Sequence, residues 1–170
     1  MIIKDKLAHY EPKPLGESGR YAVLLPLLYN EKNEKYQVLY QVRSEHISQP
    51  GEVSFPGGHA EDGETFQEAA IRETCEELNI VPNQIDIWGE IDYLVHQGRT
   101  VHCFVGKLNI DNWEDISPNE EVARLFTVDI DTLLTENPVY YTVTSTLSDA
   151  KDFPFFLVKN QDIYNFGYSE

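Results

Sequence analysis

Basic residues are scarce in this chain. Thirteen lysines and arginines stand against 29 aspartates and glutamates, for a formal net charge of −16. A protein that binds duplex nucleic acid needs a dense basic surface to displace counterions, so that class is excluded and no nucleic-acid partner is expected. Long apolar runs are missing too. The run YAVLLPLLY at 21–29 is strand-sized and carries a proline, so no membrane partner is expected. Cysteine is nearly absent: Cys75 and Cys103 sit apart without metal-type spacing. Both read as buried or half-buried free thiols rather than a disulfide. The opening residues, MIIKDKLAHYEPKP, lack the apolar core of a signal peptide. Together these absences lead us to expect a cytoplasmic protein in a reducing environment.

What is present fits a single globular domain over residues 1–170, large enough to bury a core without disulfide help. Strand-like runs are YAVLLPLLY and YQVLYQVR (36–43), separated by the turn-rich NEKNEK. A loop, QPGEVSFPGGHAEDGE, leads to a helix from Thr65 to about Asn79. Thr65 and Glu68 form a T-x-x-E capping pattern, and Asn79 followed by Pro82 supplies the stop. IDIWGEIDYLV and TVHCFVGKL read as strands around HQGR. EVARLFTVDI is a strand passing into a short helix from Asp131 to about Glu136, and YYTVTST and FPFFLV are short strand-like pieces. Strands around one strong helix predict a mixed α/β sandwich.

The helix carries RETCEEL at 72–78. Glu73 stands three and four residues before Glu76 and Glu77, so these carboxylates share one side of the helix. Like charges so placed cost an isolated helix about 0.2–0.5 kcal/mol per pair, which calls for compensation. Upstream, Gly58 precedes Glu64 by six residues, and Glu64 precedes Arg72 by eight. At average residue frequencies, six demanding positions at this spacing arise by chance on the order of once in ten thousand such chains. Gly57 and Gly58 allow the backbone to come close to a ligand. The carboxylates are hard oxygen donors suited to Mg²⁺ or Mn²⁺, and a divalent ion would cancel their repulsion. The alternative, a solvated acidic face, does not require FPGG at a fixed distance upstream.

This segment resembles the Nudix box, G-x5-E-x7-R-E-U-x-E-E-x-G-U, with U a bulky aliphatic residue. Thr74 occupies the first U and Asn79 stands where the box has glycine, a mild exchange because asparagine tolerates the left-handed conformation. The resemblance implies an α/β/α sandwich with a mixed sheet and a loop-helix-loop site. It also implies hydrolysis of a nucleoside diphosphate linked to another group. By position, Glu76 and Glu77 resemble the main metal ligands, and Glu73 resembles a residue that binds metal or acts as general base. Arg72 would hold Glu73, Gly57 would offer its carbonyl, and Glu64 would serve as an outer supporting carboxylate. Family members often recruit a later carboxylate, and Glu121 is preferred here over Glu120. Water would attack one phosphorus of a pyrophosphate, aided by the metal and by positioning.

Further upstream, VLYQVRSEHISQPGEVSFPGG is similar to the coenzyme A pyrophosphatase signature. Leu39, Arg43, Ser44, Gly51, Phe55, Pro56, Gly57 and Gly58 match it, and the likeness covers about residues 21–134. Gln41 replaces a threonine, and the arginine usual between Arg-Ser and the glycine is missing, with none from Ser44 through Ile71. The remaining basic candidates are Arg43, Arg99 and Lys107, and the substrate contacts assigned are Arg43, Ser44, Gly58 and Arg99. Arg43 could instead pair with an acidic neighbour at its strand end, and Arg99 could be a plain loop charge. Three readings stay open. The first is cleavage of coenzyme A to 3′,5′-ADP and 4′-phosphopantetheine. The second is another small nucleotide substrate such as ADP-ribose, NADH or a dinucleoside polyphosphate. The third is a nucleotide-binding module without turnover. The family sheet usually ends under a helix, whereas this chain ends at YNFGYSE; either truncation or a homodimer partner would account for that.

Overall fold

A computed structural model describes residues 8, 9, 16, 18–96 and 98–142. The chain divides into two units, Met1–Glu136 and Asn137–Glu170. Every regular element below belongs to the first. Residues 137–142 carry no regular secondary structure, so the expected strand YYTVTST is not formed over its described part. FPFFLV, and most of the second unit that the single-domain expectation includes, lie outside the described residues.

Among the described residues, eight strands form one mixed sheet: β1 (Gly19–Asn30), β2 (Lys35–Arg43), β3 (Val53–Ser54), β4 (Gly57–His59), β5 (Ile85–Glu90), β6 (Leu94–His96), β7 (Arg99–Leu108) and β8 (Val122–Asp129). The order is β3-β2-β1-β7-β5, with β4 on β1, β6 on β7 and β8 on β2. β1 and β7 are parallel and the other pairs antiparallel. The expected mixed α/β architecture is borne out. Two details differ from the expectation. The segment read as a loop before the helix contains β3 and β4, whose pairing uses backbone that side-chain pattern does not mark. IDIWGEIDYLV is broken into β5 and β6, with a register irregularity between Ile87 and Gly89.

The proline in β1 is accommodated by topology. Leu24 N–H donates to Pro56 O at 2.9 Å, on the side of the strand where β4 pairs. Pro26, two residues on, would point its missing N–H the same way, into the gap after β4 ends at Val23 and before β2 begins at Leu27. No ladder bond is lost there.

Two helices follow among the described residues, α1 (Phe66–Leu78) and α2 (Ile130–Thr135). α1 buries Ala69, Ala70 and Leu78 against Ala22, Leu24, Phe104 and Leu108 of the sheet. Its start is fixed by the full capping box: Glu68 N–H donates to Thr65 Oγ1, and Thr65 N–H to Glu68 Oε2. Its end is a Schellman turn. Asn79 is left-handed (φ 51, ψ 44) and Ile80 N–H reaches back to Cys75 O at 3.1 Å. Ile80 then packs on the core, which is why a bulky aliphatic residue stands there. Both cysteines are free and half-buried, as expected. Among the described residues, no helix is long and apolar enough to cross a membrane.

Candidate active site

β4 lies against the start of β1, with Gly57 opposite Val23 and Gly58 opposite Ala22. A side chain at Gly57 (φ 147) would come within 2.3 Å of Ala22 O, so the position admits only glycine. At Gly58 the obstacle is different. A Cβ there would stand 2.4 Å from the Glu73 carboxyl carbon. The bare backbone of Gly58 therefore makes room for the first carboxylate of the helix.

Arg72 organises that carboxylate and two more. Its Nε donates to Glu64 Oε1 at 2.9 Å and its Nη2 to Glu64 Oε2 at 3.1 Å, a two-pronged ion pair. Nη1 donates to Glu73 Oε1 at 2.9 Å and to Glu76 Oε2 at 3.3 Å, and Nη2 also to His59 O at 2.9 Å. The guanidinium thus ties α1 to the end of β4. It holds the Glu64 carboxyl below its ordinary range and is itself kept fully charged. Burial pushes Glu73 up, against the opposing pull of Arg72.

Glu77 is the buried member, 4% exposed. Its Oε2 accepts from Gly57 N–H at 2.9 Å and from Gln41 Nε2 at 3.0 Å. Burial raises its pKa to about 7, with Glu73 and Glu121 adding to the rise and the two hydrogen bonds opposing it. The charge of Glu121 also raises Glu73. Glu121 reaches this place because the backbone of Ser44 donates to its carbonyl at 2.8 Å. That coupling singles it out from the equally exposed Glu120.

The other candidates stand as follows. Ser44 is buried beside Glu121, its hydroxyl without a hydrogen-bond partner among the described residues. Arg43 donates from Nε to Ser48 O at 2.8 Å and from Nη2 to Ser48 Oγ at 3.2 Å, closing the loop after β2 rather than pairing with an acid. Arg99 lies 5.8 Å from the Tyr21 ring centroid, and Tyr21 in turn meets His59 edge-on. Sequence reasoning missed Gln41 as a site residue, although its replacement of threonine in the signature was visible.

Among the described residues, no three His, Cys, Asp or Glu side chains stand close enough to form a ready metal-ligand set. The donors nonetheless fit a divalent cation. Glu73 Oε2, Glu76 Oε1 and Glu77 Oε1 are the oxygens not engaged in the bonds above. All are hard donors, and the repulsion that Glu73 and Glu77 feel from neighbouring carboxylates, Glu121 among them, is the burden that such an ion relieves.

Comparison with known proteins decides the family. The sequence profile of the NUDIX domain matches residues 19–146. The chain belongs to the Nudix family. It is 34% identical over 162 residues to the peroxisomal coenzyme A diphosphatase NUDT7 of Mus musculus, covering 89% of this chain and 66% of that protein. It is 36% identical over 118 residues to Nudix hydrolase 3 of Caenorhabditis elegans, covering 66% of this chain and 48% of the relative. The chain thus spans about half to two thirds of these relatives' length. Among solved structures it resembles a C. elegans Ap4A hydrolase binary complex, with TM-score 0.57 and 25% identity over 68% of this chain and 83% of that one. The Nudix box of this chain accordingly runs from Gly58 to Ile80, with its glycine, arginine and four glutamates gathered as described.

Proposed function

We propose that this Nudix protein hydrolyses the pyrophosphate bond of coenzyme A or an acyl derivative, giving 3′,5′-ADP and the 4′-phosphopantetheine part, with Mg²⁺ or Mn²⁺. The single observation that carries the reaction type is the Arg72 clamp, which sets Glu73 and Glu76 beside the buried Glu77 against the Gly57–Gly58 backbone. Glu73, Glu76, Glu77, the Gly57 carbonyl and Glu121 would hold the metal, with Glu64 supporting through Arg72. When bound, the metal lowers the pKa of water and neutralises phosphate charge. Glu73, half-buried and with a raised pKa, is suited to take the proton from the attacking water, while Arg72 keeps its carboxylate in place. Gly58 leaves the approach to Glu73 open. Arg43, Gly58 and Arg99 are proposed as substrate contacts, whereas the buried Ser44 hydroxyl is out of a substrate's reach.

The choice of coenzyme A is supported by the likeness to the mouse diphosphatase over 89% of this chain. A dinucleoside polyphosphate is the second reading, favoured by the similarity to an Ap4A hydrolase and by the missing arginine between Ser44 and Ile71. The half-buried free thiols suit the cytoplasm we assign to it. The deciding experiment offers coenzyme A, ADP-ribose, NADH and Ap4A with each metal and identifies the products. Faster turnover of Ap4A or ADP-ribose than of coenzyme A replaces the substrate assignment, and no turnover of any leaves a binding module.

A further inference from the structure

Asparagine at the end of the Nudix helix does more than stop it. Asn79 Nδ2 donates to Ser117 O at 2.8 Å, a bond that the glycine of the family box has no side chain to make. Two residues later, Asn119 N–H donates to Glu77 O at 2.8 Å, so the loop is fastened to the helix turn that carries the buried carboxylate. The Asn119 side chain then turns forward. Its Oδ1 accepts from Glu121 N–H at 2.9 Å, and its carbonyl accepts from Val122 N–H at 3.2 Å, where β8 begins. From the opposite side Ser44 N–H grips Glu121 O. The backbone of Glu121 is thereby held at both its N–H and its C=O, each by an element that borders the site. Glu121 is nevertheless exposed at its side chain, and only its backbone is fixed in this way.

We propose that Asn119 is a positioning residue that sets the Glu121 carboxylate against Glu73 and Glu77, with Asn79 anchoring the same loop to the helix end. A loop residue free of these bonds would sample many backbone conformations, and a long acidic side chain would drift away from two like charges. The hydrogen bonds of Asn119 and Asn79 oppose that drift. This inference rests on the assignment of Glu121 as a metal ligand given above.

The test is a double-variant cycle on the full chain, reading Mn²⁺ affinity from the resonance of free Mn²⁺ and stability from metal-free thermal unfolding. Asn119→Ala is expected to weaken Mn²⁺ binding by about 10-fold, the usual range for a ligand's supporting partner, and Glu121→Gln, which alters the ligand itself, by at least as much. The combined variant is expected to be no weaker than Glu121→Gln alone, because Asn119 acts through Glu121. Asn119→Asp, which keeps the acceptor for Glu121 N–H, is expected to restore affinity. Wild-type affinity in Glu121→Gln overturns the ligand assignment itself. A normal loss in Glu121→Gln, with additive losses in the double variant or none in Asn119→Ala, overturns the positioning role alone. Should Asn119→Ala not fold, Asn79→Gly takes its place in the cycle, since it keeps the left-handed cap and removes the Ser117 bond. A loss of affinity that vanishes in the Glu121→Gln background then supports the positioning role, and an additive loss or none overturns it.

Discussion

Gln41 and Glu77 are hydrogen-bonded across the interior, Nε2 to Oε2 at 3.0 Å, joining the C-terminal part of β2 to the last turn of α1. Both side chains are buried, Gln41 at 2% exposure. The bond stabilises the charged form of Glu77, so replacing Gln41 by leucine raises the Glu77 pKa further. The acid limb of the kcat/KM profile is expected to move to higher pH in Gln41→Leu, with activity near neutrality reduced about 10-fold. An unshifted limb with uniformly lower rates would mean that Gln41 serves packing only.

Glu77 also gives the metal-free protein an unusual dependence on pH. In the unfolded chain it ionises near 4.5, whereas in the fold it keeps its proton up to about 7. Between those values the folded state binds more protons than the unfolded one, so stability falls as pH rises through that window and levels off above it. Denaturant unfolding in chelator is expected to lose on the order of 2 kcal/mol between about pH 5 and about pH 8. Glu77→Gln should flatten this slope, and Mg²⁺ should recover the lost stability at the higher pH. A wild-type curve that rises over the same interval contradicts the burial argument.

The helix was legible in the sequence to within a residue because its ends are written locally: Thr65 with Glu68, and Asn79 with Ile80. The charge cluster was legible for the same reason, since a helix converts spacing directly into proximity. β3 and β4 were not, because Gly57 and Gly58 pair through bare backbone and show no alternation. Gln41 was read as a departure from a signature rather than as a contact. Its partner lies 36 residues away, and only the crossing of β2 and α1 brings them together. The hold on Glu121 was equally hidden, since Ser44 and Asn79 are far in sequence from the loop at 117–121 that their hydrogen bonds reach.

The two glycines should separate stability from chemistry. Alanine at Gly57 meets the backbone of β1 and requires a positive φ, so it is expected to destabilise by several kcal/mol, at roughly 3 or more. For alanine at Gly58 the nearest atoms are those of the Glu73 carboxylate, the far end of a side chain that can swing aside. Its unfolding free energy should change by about 1 kcal/mol while kcat falls about 100-fold. Urea unfolding beside steady-state kinetics on the two variants checks the contrast; equal stability losses would show that β4 is more pliable than its packing suggests.

Arg72 differs from an ordinary surface cation in the geometry of its contacts. One guanidinium serves Glu64, Glu73, Glu76 and the His59 carbonyl at once, through three nitrogens. An ammonium is a single point charge with three donors and lacks the planar fork that grips Glu64 twice. Arg72→Lys therefore keeps the net charge yet is expected to release Glu73, lowering kcat by about 100-fold with KM little changed. Glu64→Gln removes charge from the clamp but leaves an acceptor for Arg72, and a milder loss of about 10-fold is expected. Glu73→Gln, which removes the proton acceptor itself, should match or exceed the lysine variant. If Arg72→Lys turns over substrate at the wild-type rate, charge alone is enough and the fork has no part in holding Glu73 for the reaction.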